Sequence, residues 1–183
     1  MNIVKTKLPG VVIIEPHVFG DARGFFMETW REDRYAEAGL PERFVQDNLS
    51  FSQKGVVRGL HFQNPNSQGK LVYVLQGEVF DVAVDIRIGS PSFSRWEGVR
   101  LSGENKRQFY IPAGFAHGFC VMSETALFAY KCTDGYNPQA EHGIIWNDPD
   151  VSIEWPVREP VLSEKDQRYG RLKDLAEGML PRF

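Results

Sequence analysis

From Glu78 onward the chain alternates apolar and polar positions with a period of two. Phe80, Val82, Val84, Ile86 and Ile88 share one side; Val79, Asp81, Ala83, Asp85 and Arg87 share the other. This spacing predicts a β-strand with one apolar and one mixed face. Gly89-Ser90-Pro91 ends it. The run 70–75 precedes it across Gln76-Gly77, which predicts two consecutive strands joined by a tight turn. Further β-rich runs fall at 96–101, 108–111, 118–122 and 126–132, each bounded by Gly, Pro, Asn, Asp or Ser. Helix is expected only at the margins. Residues 31–38 can make two turns, with Gly39 at the stop and Pro41 beyond it. Ser163-Glu164-Lys165-Asp166 has the form of a capping box, and a helix is expected to run on toward Leu175. Many short strands with peripheral helices predict an all-β sandwich of jelly-roll type.

Composition narrows the class. A length of 183 residues favours one domain, 1–183, large enough for a real core. Hydrophobic and charged contents of 42% and 25% are globular values and exclude disorder. A net charge of −3 lacks the basic surplus of a nucleic-acid binder. No apolar run approaches the ~18 residues of a membrane span, and residues 1–10 lack the core of a secretory signal. Cys120 and Cys132 are too few for a disulfide framework, so a cytoplasmic, reducing setting is expected. Four His and two Cys leave little for a zinc or haem site.

Several polar residues interrupt the strand pattern. Arg58 and His61 punctuate the run VVRGLHFQ, where Gly59 permits close approach of backbone or ligand. His117 follows the Pro112–Gly114 turn, and Tyr130 shares a strand face with Phe128 and Ala126. Each has a plain structural reading. A lone His in a strand is ordinarily structural, and Tyr130 is by default a core Tyr. Asp166 reads as a helix-cap residue, and Lys70 as a solvated charge at a strand end. His17 and His142 lie in no apolar run and keep that structural reading.

Gly59 to His61 and the PxGxxH segment from Pro112 to His117 resemble the two cupin motifs. Gln63 stands where the metal-binding cupins carry a second His, and two His make too few ligands for a metal. The chain as a whole resembles the dTDP-4-dehydrorhamnose 3,5-epimerases, a metal-free cupin family. The matching strings are DARGFF, QDNLSFSQKGVVRGLHFQ, QGKLVYVLQGEVFDVAVDIRIGSPSF, IPAGFAHGF, YKCTDGY, WNDPD and LSEKD, in the family's order across residues 13–166. Tyr73 departs from the family where a basic residue is common, and Tyr110 where Trp is common.

The resemblance implies a cupin-like fold, no cofactor, no metal, and inversion of carbons 3 and 5 of a dTDP-4-keto sugar. It implies His61 as base, Asp166 as its carboxylate partner, Tyr130 as acid, and Lys70 at the enolate oxygen, with His117 as a second donor. It also implies a substrate-binding set of Arg23, Phe26, Glu28, Gln46, Asn48, Arg58, His117, Tyr136, Glu141 and Lys165. The family is a homodimer with exchanged strands, so the N-terminal members of that set are expected to serve the partner's site. The competing readings are an epimerase acting at one carbon, a metal-dependent cupin, and a non-catalytic sugar-binding jelly roll.

Overall fold

A computed structural model describes residues 1–40 and 43–183. The strands in chain order are β1 (Asn2–Lys5), β2 (Val12–Glu15), β3 (Val18–Asp21), β4 (Gly24–Met27), β5 (Gln46–Gln53), β6 (Val57–Gln63) and β7 (Lys70–Gln76). They continue with β8 (Glu78–Asp85), β9 (Trp96–Ser102), β10 (Gln108–Ile111), β11 (Phe115–Val121), β12 (Thr125–Cys132) and β13 (Glu141–Gly143). Two sheets form a sandwich. One has the order β1-β2-β10-β7-β12-β5, the other β13-β6-β11-β8-β9, and β3 and β4 make a separate hairpin. The jelly-roll expectation holds.

The connection between β7 and β8 takes an unexpected course. The two strands lie in different sheets, so their turn carries the chain across the sandwich. Gly77 makes this possible with φ +84°; a side chain there would collide with the Thr125 carbonyl. Both faces of β8 are buried. Val79 and Ala83 join Val72, Val74, Phe109, Phe119 and Phe128 between the sheets. Val82, Val84 and Ile86 pack outward under Ile144, Val151, Leu172 and Leu180 of the C-terminal segment. The strand stops at Asp85, three residues before Ile88, because Asp85 accepts hydrogen bonds from the backbone and side chain of Arg87 and from Ser90 and Ser92. Tyr110 packs with Leu71, Ile14 and Tyr35 on the outside of the other sheet.

The helices are shorter than the pattern suggests. Helix α1 spans Glu32–Glu37 and ends at Gly39, whose φ is +85°; Pro41 lies outside the described residues. Helix α2 is only Glu164–Gln167. The expected continuation to Leu175 fails because the Ile145 amide donates to the Gly170 carbonyl, drawing the chain back to the sheet. A separate 3₁₀ turn then forms at Leu172–Asp174.

Candidate active site

A cleft of about 610 Å³ opens between the sheets and is lined by Arg58, His61, Lys70, His117, Tyr130 and Asp166 among others. His61 and Arg58 come from β6, and His117 from β11, in the second sheet. Lys70 and Tyr130 come from β7 and β12 in the first. Strand alternation would put Arg58 and His61 on opposite faces. A register shift prevents that: His117 pairs with His61, and Phe119 with Arg58. Three steps on β6 therefore face two on β11, a bulge that turns both side chains into the cleft. Gly59 sits at this point with φ +114°, and a Cβ there would lie 2.6 Å from the Gly118 Cα and the His117 oxygen.

His61 Nε2 lies 2.5 Å from Asp166 Oδ1. The two readings of Asp166 prove compatible. Its backbone N–H takes the Ser163 cap at 3.1 Å, while its carboxylate leaves the helix for His61. Burial works to raise the Asp166 pKa, but the hydrogen bond and charge of His61 outweigh it, and the carboxyl is held below its usual range. Tyr130 is driven the other way by burial, so its phenol stays protonated. Burial lowers the Lys70 ammonium pKa, opposed by Cys132 and the carboxylates of Asp81 and Glu141.

His117 has a partner that sequence reasoning missed. Its Nε2 lies 3.0 Å from both oxygens of the buried Asp81. Burial lowers the His117 pKa and raises that of Asp81, while their mutual hydrogen bond and charge oppose both shifts. The alternation of β8 marks Asp81 as an inward position, the one signal that could have found it.

Around the mouth, Tyr136 and Lys165 each donate to Glu141 at 2.8 Å, closing a three-residue clasp. Gln46 and Asn48 line a connected branch of about 300 Å³ together with Cys132. Arg58 donates from Nε to Ser52 at 3.0 Å. Ser50 was also missed: its hydroxyl is buried at the cleft with no partner among the described residues. Arg23, Phe26 and Glu28 are not brought to this cleft. Arg23 pairs with Asp21, Phe26 is 68% exposed on the hairpin, and Glu28 pairs with Arg34. Gln63 spends its amide on loops, donating to Asn66 and Gly135 and accepting from Asn137. Among the described residues, no group of three or more His, Cys, Asp or Glu could hold a metal.

The model of the dTDP-4-dehydrorhamnose 3,5-epimerase family matches residues 5–174. The chain belongs to this family. The epimerase of Shigella flexneri is 58% identical over 168 residues, covering 91% of this chain and 93% of the relative. That of Methanothermobacter thermautotrophicus is 53% identical over 176 residues, covering 94% and 95%. The crystal structure of the 3,5-epimerase from Legionella pneumophila, in complex with dTDP-4-keto-L-rhamnose, superposes with a TM-score of 0.97. It is 58% identical and covers 100% of this chain and 98% of that one. This epimerase is therefore an isomerase with a cupin-like β-sandwich. Tyr73, where the family commonly has a basic residue, does not line the cleft; the alternation of β7 turns it away from Lys70.

Proposed function

We propose that this epimerase inverts carbons 3 and 5 of dTDP-4-dehydro-6-deoxy-glucose to give dTDP-4-dehydro-L-rhamnose by proton transfer through an enolate. One observation carries the mechanism: His61 and Tyr130 stand on opposite sheets and line the same cleft. Both carbons flank the C4 ketone, so either proton can leave as charge moves onto the ketone oxygen. Inversion needs a base on one face and an acid on the other. His61 takes the proton from one face, steered by ionised Asp166. Protonated Tyr130 returns one from the other.

Base strength alone is insufficient. A ketone α-proton is less acidic than imidazolium by on the order of ten pKa units, or ~14 kcal/mol. Lys70 supplies preorganised charge at the enolate oxygen, a type of contact worth ~3–4 kcal/mol. His117 suits a different task from the second donor first expected. With its proton committed to Asp81, its free nitrogen accepts a hydrogen bond from a sugar hydroxyl. Arg58 offers a guanidinium to the diphosphate. Gln46, Asn48, Tyr136, Glu141 and Lys165 hold the nucleotide end around the clasp and side branch.

The molecule works as a homodimer. The outward side chains Leu49 and Phe51 of β5 are 61% and 62% exposed, and the β3–β4 hairpin exposes Phe19, Phe25 and Phe26. Such surface favours cover by a second copy, with Arg23, Phe26 and Glu28 then reaching the partner's cleft. Two free cysteines suit a reducing cytoplasm.

The test is incubation with the keto-sugar in deuterated water. Label at carbons 3 and 5 is the expected result; label at one carbon would make this a monoepimerase, and none would end the epimerase reading. His61→Asn should abolish exchange at both carbons, since no base remains.

A further inference from the structure

Asp166 orients His61 from a helix of four residues. A helix this short cannot hold its own shape, because the nucleation cost exceeds what one turn returns. Its position must come from tertiary anchors. Upstream, Val161 exchanges backbone hydrogen bonds with Gly55 and Val57. Downstream, the Ile145 amide holds the Gly170 carbonyl at 2.9 Å. Between the second anchor and Asp166 lies Tyr169. Its ring rests so closely on Gly143 that any side chain at that position would overlap it. Gly143 is the residue paired with His61 across β13 and β6. The same ring meets the His61 imidazole edge to face, with centroids 5.8 Å apart and planes at 68°.

We infer that Tyr169 is a positioning residue for the base: its ring clamps the helix bearing Asp166 onto the strand bearing His61. The inference rests on His61 and Asp166 being the base pair proposed above. Tyr169 does not line the cleft. Burial pushes its hydroxyl up to about 12, so at neutral pH it is uncharged and acts by packing.

The test compares Tyr169→Ala, Tyr169→Leu and Tyr169→Phe with Gly143→Ala. A displaced reacting group costs on the order of ten- to a hundredfold in rate. Tyr169→Ala should lose about that much in kcat for solvent exchange, with KM changed less than about twofold. Tyr169→Phe, which keeps the ring, should stay within about twofold of the parent. Gly143→Ala pushes the same ring outward and should reproduce the loss, and the double variant should be no worse than either single. In NMR, the downfield imidazole N–H proton bonded to Asp166 should persist in Tyr169→Phe and vanish into solvent exchange in Tyr169→Ala. Tyr169→Leu retains apolar bulk for folding and should show the same loss if the alanine variant does not fold. Parental kcat in the folded alanine or leucine variant, equal damage in Tyr169→Phe, or additive losses would overturn the clamp. His61→Asn tests the base separately: exchange persisting there sinks the base assignment, whatever Tyr169 does.

Discussion

The two histidines in the cleft differ in where their carboxylate partners leave them. His61 is 27% exposed at its side chain and open to substrate, while His117 is 8% exposed and tied to Asp81. The first is reachable from the cleft; the second is held against a buried carboxylate. Tyr130 has no hydrogen-bond partner among the described residues, so its phenol is free to meet substrate. Tyr130→Phe should therefore keep proton abstraction and lose inversion. Label entering with retained configuration, resolved by NMR of the product, is the expected outcome; equal loss of both steps would make Tyr130 a binding residue. Lys70→Met should lower kcat by about 10²–10³ if the amine meets the enolate oxygen. A change confined to KM would place it elsewhere. At this scale the candidate set was legible from motifs, because LHFQ, YKC and SEKD carry residue identities. Asp81 and Ser50 were not: alternation can place such a residue inward, but what it meets there shows only when its neighbours are known.

Strands carry polarity in ways that periodicity alone misassigns. β5 reads QDNLSFSQ, and its inward residues are the polar ones: Gln46, Asn48, Ser50 and Ser52. Its apolar residues Leu49 and Phe51 point out. The usual rule is inverted because the inner face at this edge lines the polar cleft rather than the core. The end of β8 shows a second device. Burial raises the Asp85 pKa, but hydrogen bonds from Arg87, Ser90 and Ser92 outweigh it and bring it to about 2. An unfolded Asp titrates near ~3.9, so the network contributes about 2–3 kcal/mol. A depressed folded pKa gives stability that is present above the unfolded value and lost as pH falls through the folded one. Denaturant midpoints of the parent and Asp85→Asn should differ at pH 7 and converge as pH falls from ~4 to about 2. A constant gap across that range would refute the ionised network.

At the level of the whole molecule, the β3–β4 hairpin that bears Phe26 and the turn that bears Arg23 lie away from the cleft. If the partner's hairpin completes it, Arg23→Ala and His61→Asn should each be inactive alone. Mixed after denaturation and refolding, they should recover about a quarter of parental activity, because half the dimers carry one intact site of two. No recovery would return Arg23 to its own chain's cleft, and an active Arg23→Ala variant would leave it without a role. Leu49→Glu with Phe51→Glu should yield monomers by light scattering; an unchanged mass would move the interface off β5.

The order of residues by itself determined the central strands from β6 to β12, the sandwich class, the turn glycines and the family motifs, but not β1–β5 or β13. These depend on local periodicity and on side-chain identity, which are written in the chain. Tertiary structure alone decided which sheet each strand joins, that a bulge turns Arg58 and His61 the same way, and that α2 ends after one turn. It also decided that Asp81 holds His117. Each of these depends on contacts between residues far apart in the chain, where the energy of a buried pair or a backbone bridge outweighs any local preference.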